Sequence, residues 1–176
     1  MRVVVVGAGM SGLVAARRLA DEHEVIVLDK GRSVGGRLAT RRVGEAVLDH
    51  GAQFFTVRGE EFRSQVDDWL DRGLAHVWCH GFAPAGDGYP RYVGSAGMNS
   101  LAKDLATGLD CRTNQLVFTM RRQEEGWDVV IDDGSVVAAD AVVLTAPVAQ
   151  SWALLAQSDL DLPDGLFRQE YHRTIG

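Results

Sequence analysis

The stretch that decides the fold is VVVVGAGMSG, residues 3–12. Val3–Val6 is an unbroken β-branched run, which is typical of a strand buried on both faces of a parallel sheet. A glycine turn follows directly, and apolar residues at helical spacing then predict a helix. A second strand, Val25–Leu28, ends on Asp29, twenty-two residues after Gly7. Strand, glycine turn, helix, strand and acid in this order predict a dinucleotide-binding βαβ unit.

Each glycine of this unit has a steric reason. Gly7 makes the tight turn, Gly9 lets the backbone approach a pyrophosphate, and Gly12 lets the helix pack close to the strand. The helix start offers free N–H groups and the positive end of its dipole to phosphates. We expect Asp29 to bind ribose hydroxyls and to repel a phosphate by about 3 kcal/mol per unit charge, at about 5 Å and an effective dielectric of about 20. This disfavours NADP, although Lys30 weakens the effect, and leaves NAD or FAD.

Composition limits the classes of partner. The chain has 176 residues, 46% hydrophobic content and a net charge of −6, which argues against nucleic acid or an anionic membrane as partner. No apolar run reaches the length of a membrane span. Cys79 and Cys111 fit neither a metal site nor a disulfide framework, so we expect no metal and a reducing, cytoplasmic compartment.

A second glycine-rich segment follows the acid. It contains Gly35, Gly36 and Arg37, and it leaves the predicted sheet next to the ribose-binding position. The glycine pair permits close backbone approach, and Arg37 supplies a planar charge suited to a phosphate. The segment is therefore expected to fold back over the pyrophosphate; a solvated basic loop is the alternative.

The remaining chain alternates between strands and helices. Helices are predicted over 60–72, over 98–106 and after 148, and strands from 47 towards 55 and over 74–80, 89–93, 109–113, 115–122, 127–131, 135–138 and 141–145. Asp132-Asp133-Gly134 is predicted to be a hairpin turn. Residues 166–176 are interpreted as the opening of a further strand.

Together these residues resemble the FAD-dependent amine oxidase superfamily, and within it the renalase-like bacterial NAD(P)/FAD-dependent oxidoreductases. The matching stretches are residues 6–13, Asp29-Lys30, Gly35-Gly36-Arg37, residues 49–56, Arg91–Gly94 with Gly97-Met98, and Thr145-Ala146-Pro147. The resemblance covers the whole chain, and the glycine pair six residues after Asp29 favours FAD over NAD. Members of the family are about twice as long, so we expect this chain to be an N-terminal part.

The resemblance implies an α/β chain with a Rossmann-like FAD/NAD(P)-binding fold: a parallel sheet with helices on one face and an antiparallel meander on the other. Residues 1–57 and 94–150 would form the FAD-binding domain, and 58–93 and 151–176 part of an inserted α+β substrate domain. The implied FAD-binding residues are Gly7, Gly9, Met10, Ser11, Gly12, Asp29, Lys30, Gly36, Arg37, Gly51, Ala52, Gln53, Phe54 and Val117.

The leading hypothesis is a flavin-dependent oxidoreductase. A substrate carbon would pass hydride to flavin N5, and O2 would reoxidise the flavin. The resemblance implies an amine or a dihydronicotinamide as the small-molecule substrate, and the sequence identifies no catalytic residue. The alternatives are an NAD-dependent dehydrogenase and a non-catalytic dinucleotide-binding fragment or subunit. Exposed sheet edges in such a fragment would favour homo-oligomers.

Overall fold

The computed structural model describes residues 1–82, 86, 88–155, 158, 160, 162 and 165. The described helices are α1 (Met10–Leu19), α2 (Glu60–Asp71), α3 (Asn99–Ala106) and α4 (Val148–Leu155), with a 3₁₀ turn at Gly36–Leu38. The described strands are β1 (Arg2–Val6), β2 (Glu24–Leu28), β3 (Thr40–Val43), β4 (Ala46–Asp49), β5 (Ala75–Cys79), β6 (Arg91–Gly94), β7 (Asp110–Arg112), β8 (Val117–Arg122), β9 (Trp127–Ile131), β10 (Val136–Ala139) and β11 (Ala141–Leu144). The strand expected over 166–176 lies outside the described residues.

The chain divides into two compact units. The first unit comprises Met1–Gly36 and Leu105–Gly176, and the second unit comprises Arg37–Asp104. The predicted limits of the FAD-binding and substrate domains stay a prediction.

A parallel sheet with the strand order β11-β1-β2-β7 forms the centre of the first unit. β1 lies between β2 and β11, and its last residue, Val6, is opposite Leu28 on one side and Leu144 on the other. Because β1 has a neighbour on each side and both faces are covered, Val4 and Val5 are completely buried. The structure confirms the buried parallel strand predicted from the valine run.

The two faces of this sheet are covered by different elements. Alternate residues of β1 and β2 pack against β8, β9 and β10 in one apolar cluster, which comprises Val4, Val6, Ile26, Leu28, Val117, Met120, Val129, Ile131 and Ala139. α1 contacts β1 and β2 and buries Leu13 and Ala16. Successive strand residues point to opposite faces, so α1 covers the face away from that cluster. Each buried Val, Ile or Leu side chain stabilises the fold by about 1.5–3 kcal/mol relative to exposure.

The antiparallel sheet on the second face is the predicted meander. β8 pairs with β9 and β9 with β10, both antiparallel. The β9–β10 turn contains Gly134, whose φ is +86°. Asp133 Oδ1 accepts hydrogen bonds from the Ser135 hydroxyl (2.6 Å) and backbone N–H (2.8 Å), and these two bonds hold the pKa of Asp133 below its usual value. The hairpin predicted at Asp132–Gly134 is confirmed.

α4 follows β11 after a proline. The Pro147 carbonyl accepts the Ser151 backbone N–H (3.0 Å), and the Ala146 carbonyl accepts the Ser151 hydroxyl (3.0 Å), so the first turn of the helix is anchored to the two residues before it. Leu154 and Leu155 pack against the apolar cluster of the first unit. The helix predicted from the apolar spacing after residue 148 is confirmed.

The second unit contains two antiparallel strand pairs, β3–β4 and β5–β6. α2 completely buries Val66 and Trp69, as its apolar face predicts. The Trp69 Nε1–H donates to Asp104 Oδ2 at 2.9 Å, so the indole is buried with its polar atom satisfied. β3 was not predicted from the sequence. Its residues Arg41 and Arg42 are exposed, so the strand has no apolar alternation that would indicate it.

Among the described residues, none of the helices combines the length and the apolar character needed to cross a membrane. In the same part of the chain, no three His, Cys, Asp or Glu side chains are grouped as metal ligands.

Candidate functional site

The glycine turn, residues 7–12, lies where β1 ends and α1 begins. Gly7 has a φ of +108°, a conformation that favours glycine. Its N–H donates to the Leu28 carbonyl at 2.8 Å, which ties the turn to the end of β2. Gly9 is the N-cap of α1, and no side chain of the described chain caps this helix end. The first turn of α1 also contains no acidic residue, so its N–H groups and positive dipole end keep their affinity for an anion.

The three glycines of the turn have different surroundings. A Cβ at Gly12 would lie 1.9 Å from the Gly7 carbonyl oxygen, so the approach of α1 to the turn excludes any side chain there. A Cβ at Gly7 would lie 2.6 Å from Thr145 Oγ1. A Cβ at Gly9 would meet no described atom within 4 Å. Gly7 and Gly12 are therefore required by the fold, whereas the space beside Gly9 is open to a ligand.

Asp29 follows β2 and turns its carboxylate towards the glycine turn. Oδ2 accepts the Ala8 N–H at 2.6 Å, and Oδ1 accepts the Gly31 N–H at 2.6 Å. A carboxylate oxygen has a second lone pair, so each oxygen can still accept a hydroxyl proton. The arrangement therefore places a partly buried acceptor beside the turn. The adjacent Lys30 is exposed, and its Nζ lies 3.5 Å from Gln150 Oε1.

The Gly35–Gly36 pair lies against the glycine turn. The Gly35 N–H donates to the Ala8 carbonyl at 2.8 Å, and Gly35 forms an isolated bridge with Gly9. Both residues have positive φ, +115° at Gly35 and +51° at Gly36. A Cβ at Gly36 would lie 3.4 Å from the Gly9 Cα. Side chains here would crowd the open space beside Gly9.

Thr145 lies at this site but is not among the predicted FAD-binding residues. It follows β11, and its Oγ1 lies 3.0 Å from the Val6 carbonyl oxygen and 3.1 Å from the Gly7 carbonyl oxygen. Its N–H also donates to Val6 at 3.0 Å. The signal was present in the sequence: a hydroxyl residue ends an apolar strand. Its position became visible only with the register that sets Leu144 beside Val6.

Val117 lies at the start of β8 with its side chain buried in the apolar cluster. Two backbone hydrogen bonds hold the preceding residues beside Asp29: the Gln115 N–H donates to the Asp29 carbonyl at 2.9 Å, and the Asn114 N–H donates to the Gly31 carbonyl at 2.8 Å. The buried side chain of Val117 therefore faces the apolar cluster.

Met10 and Ser11 begin α1. The Ser11 side chain is exposed and that of Met10 is half-buried. The first unit thus contains one part of the predicted site: Gly7, Gly9, Met10, Ser11, Gly12, Asp29, Lys30, Gly36 and Val117. Val117 begins β8, two residues after Gln115, whose N–H donates to the Asp29 carbonyl.

The rest of the predicted site lies in the second unit, where residues 50–54 form the small-residue loop. The Ala52 N–H donates to the Arg37 carbonyl at 2.8 Å, and a Cβ at Gly51 would lie 2.1 Å from the same oxygen. The absence of a side chain at Gly51 therefore has a reason inside the fold. The side chains of Arg37, Ala52 and Gln53 are exposed.

Phe54 ends this loop within a group of aromatic rings. Its centroid lies 5.3 Å from that of Phe82 and 6.3 Å from that of Trp78. The Arg91 guanidinium lies 5.7 Å from the Phe54 centroid, within the range of a cation–π contact. Phe54 is therefore held by ring contacts, and it remains half-exposed.

Cys111 is the titratable group near this site whose pKa departs from its ordinary value. Burial raises the pKa of the Cys111 thiol, and the negative charges of Asp110 and Asp29 raise it further. Cys111 lies on β7 opposite Val27 of β2. The thiol is therefore kept protonated at neutral pH and is a poor nucleophile.

Two family models match the chain. The model described as an NAD(P)-binding Rossmann-like domain matches residues 5–71. The model described as a flavin containing amine oxidoreductase matches residues 75–173, which is more than half of the chain.

Individual proteins resemble parts of the chain. The 4,4'-diapophytoene desaturase (4,4'-diaponeurosporene-forming) of Staphylococcus haemolyticus (strain JCSC1435) is 34% identical over 86 residues, which cover 44% of this chain and 17% of the desaturase. Polyamine oxidase 1 of Oryza sativa subsp. japonica is 49% identical over 55 residues, which cover 29% of this chain and 11% of the oxidase. The chain therefore matches less than a fifth of the length of either relative.

A solved structure of a putrescine oxidase mutant superimposes with a TM-score of 0.70 and covers 96% of this chain and 62% of that chain. Its sequence identity is 18%, so this likeness shows the fold alone. The family model shows more. This chain belongs to the family of flavin-containing amine oxidoreductases, which confirms, at the level of the family, the predicted cofactor FAD and the predicted flavin oxidoreductase class.

Proposed function

We propose that this chain binds FAD as the nucleotide-binding part of an oxidoreductase. The observation that carries the proposal is the open space beside Gly9, which has backbone N–H groups of an uncapped helix start on one side and the Asp29 carboxylate nearby. A pyrophosphate is the ligand group that such N–H groups favour. An acidic acceptor next to them favours the hydroxyls of an attached ribose.

Each predicted residue has a proposed role that agrees with its group chemistry. The glycine turn would bind the pyrophosphate through its backbone and the Ser11 hydroxyl; its residues are Gly7, Gly9, Met10, Ser11 and Gly12. Asp29 would bind the ribose, with Lys30 at its exposed side. The remaining contacts proposed for the cofactor are those of Gly36 and Arg37 with the phosphates, of Gly51, Ala52, Gln53 and Phe54 with the flavin, and of the Val117 backbone with the adenine.

Bound FAD would supply the redox chemistry, which we propose to be hydride transfer from a substrate carbon to flavin N5 and reoxidation by O2. The proposed substrate is a small amine or a dihydronicotinamide. The chain's own contribution is to bind and orient the cofactor. No residue of the chain is assigned a proton-transfer role.

The direct test is a titration of the purified chain with FAD and, separately, with NADH. We expect quenching of flavin fluorescence, a yellow protein after gel filtration, and no displacement of the bound FAD by NADH. NADH binding without FAD binding would favour the second candidate, an NAD-dependent dehydrogenase, which the match of the NAD(P)-binding Rossmann-like model to residues 5–71 supports. A chain that binds neither nucleotide would contradict both.

Gly9→Ala isolates the ligand contact from the fold. Gly9 has a φ of −76°, which alanine adopts without strain, and its Cβ would meet no described atom. We therefore expect unchanged stability and an FAD affinity lower by about tenfold or more, because the methyl group occupies the space of the pyrophosphate (about 1.4 kcal/mol per tenfold). Fluorescence titration and thermal unfolding measure the two quantities.

Gly59→Ala is the matched control. Gly59 is likewise a helix N-cap with extended backbone, φ −100°, and open space at its Cβ. It should change neither the stability nor the FAD affinity. Equal FAD affinities for Gly9→Ala and the wild-type chain would place the pyrophosphate elsewhere.

Two further properties are proposed. Cys79 and Cys111 are both free thiols, which supports a reducing, cytoplasmic compartment. Among the described strands, β11 and β7 lie at the two edges of the parallel sheet, which supports self-association through these edges; light scattering after gel filtration measures it.

A further inference from the structure

We infer that Thr145 is a positioning residue of the cofactor site: its hydroxyl fixes the conformation of the glycine turn that receives the pyrophosphate. This inference rests on the proposed function. It concerns a residue that is not proposed to contact the cofactor itself. The chain places Thr145 138 residues after Gly7, on a different strand.

Thr145 contacts two carbonyl groups at the start of the glycine turn. Thr145 Oγ1 lies 3.0 Å from the Val6 oxygen and 3.1 Å from the Gly7 oxygen, so its single proton is shared between two successive carbonyls. The next carbonyl, that of Ala8, accepts the Gly35 N–H at 2.8 Å. Three consecutive carbonyls are therefore held by contacts from outside the turn.

The planarity of the peptide bond couples each carbonyl of the turn to the N–H of the next residue. The C=O of one residue and the N–H of the next point in opposite directions in one plane, so fixing the carbonyl also fixes the N–H. The peptide between Val6 and Gly7 is held by Thr145 at its oxygen and by the Leu28 carbonyl at its N–H (2.8 Å). The peptide between Gly7 and Ala8 is held by Thr145 and, at 2.6 Å, by the Asp29 carboxylate.

Thr145 also fills the space that Gly7 and Gly12 leave beside the turn. Thr145 Oγ1 lies 2.6 Å from the Cβ that a side chain at Gly7 would have, and 2.9 Å from the one at Gly12. The hydroxyl thus occupies the gap that the two glycines leave on the β11 side of the turn. The open side, beside Gly9, is left for the ligand. A turn held in this way before binding needs no ordering when the phosphates arrive, which favours affinity.

The test compares Thr145→Val, which replaces the hydroxyl by a methyl group of the same shape, with Thr145→Ser, which keeps the hydroxyl. FAD, ADP and adenosine are the probes, the last two by displacement of FAD fluorescence. We expect Thr145→Val to bind FAD and ADP roughly three- to tenfold more weakly, as for the loss of one hydrogen bond. Adenosine, which has no phosphate, should bind as it does to the wild-type chain. Thr145→Ser should restore most of the ADP affinity.

Thr119→Val is the control, because it makes the same change at a threonine of β8 that is only 4% exposed. It should leave the ratio of ADP to adenosine affinity unchanged. If Thr145→Val does not fold, the ADP and adenosine affinities are compared between Thr145→Ala and Thr145→Ser. Both variants lack the methyl group of threonine, and only Thr145→Ser keeps the hydroxyl.

Three results would overturn the inference. The first is ADP affinity in Thr145→Val equal to wild type. The second is an equal loss for ADP and adenosine, which would indicate general loosening rather than an effect on the phosphate turn. The third is a wild-type chain that binds none of the three probes, which would also remove the proposed function and is recognised without any variant.

Discussion

The glycine turn and the small-residue loop resemble each other in sequence, but their backbones are held differently. Both follow a strand, both combine glycine with small residues, and both are predicted to contact the cofactor. In the glycine turn, contacts come from β2, β11 and the Gly35 segment, and they leave the Cβ direction of Gly9 open. In the small-residue loop, the Arg37 carbonyl lies where a side chain of Gly51 would be.

This difference shows that glycine alone does not indicate a ligand. Gly12 and Gly51 are small because a backbone carbonyl lies about where their Cβ would be, at 1.9 Å and 2.1 Å. Gly9 has no such reason inside the described structure. The direction in which the missing Cβ would point therefore separates a glycine required by the fold from one available to a ligand.

The strands before the two loops differ as well. β1 is buried, whereas Val47 and Leu48 of β4 are 41% and 53% exposed. β4 is held at its end by polar contacts instead: the Asp49 carboxylate accepts hydrogen bonds from the Thr40 hydroxyl and from the Met98 N–H at 2.9 Å, and so contributes to the start of α3. Apolar burial therefore holds the strand before the first loop, and hydrogen bonds of Asp49 hold the strand before the second.

The largest effect is expected for Gly12→Ala. The added methyl group would lie 1.9 Å from a backbone oxygen that cannot move without disrupting β1. We expect the free energy of unfolding to fall by roughly 3 kcal/mol, measured by urea denaturation, with Gly9→Ala as the control in the same turn. Wild-type stability in Gly12→Ala would contradict the close approach of α1 to the turn.

An intermediate effect is expected for Gly51→Ala. Its methyl group would clash with the Arg37 carbonyl and weaken the Ala52–Arg37 hydrogen bond, but an exposed loop adjusts more easily than a buried turn. We expect a loss of roughly 2 kcal/mol, with faster hydrogen exchange confined to the second unit. Gly59→Ala should leave exchange unchanged. If Gly51→Ala lost FAD affinity without losing stability, Gly51 would belong with Gly9 rather than with Gly12.

The smallest effect is an electrostatic one near the glycine turn. The negative charge of Asp29 disfavours the Cys111 thiolate and so raises the pKa of the thiol, after burial and Asp110. In Asp29→Asn the pKa should fall, and alkylation of Cys111 by iodoacetamide at pH 8 should accelerate by about twofold. Peptide mass spectrometry separates Cys111 from Cys79. Asp132→Asn, in the exposed β9–β10 turn, should leave the rate unchanged; an unchanged rate in Asp29→Asn would contradict the coupling.

Local patterns predicted most of the elements. The valine run predicted a buried strand, and the limits of β9 coincide with those expected from the sequence, Trp127–Ile131. β3 was not predicted because its residues have no apolar alternation. Its strand conformation is stabilised by hydrogen bonding to β4, which a local pattern does not show. Local patterns predicted the glycine turn and Asp29, whereas the resemblance to the family supplied residues 51–54 and Val117. The contact of Thr145 with Gly7 was not predicted, because it depends on the pairing of distant strands.

The sequence by itself determined the βαβ unit and its glycine turn, because strand burial, helix spacing and turn geometry depend on residues near one another in the chain. Only the tertiary structure decided which glycines face open space, why Gly51 has no side chain, and that a threonine from β11 holds the turn. Those properties are distances between atoms that the chain brings together from far apart, and no local pattern contains them.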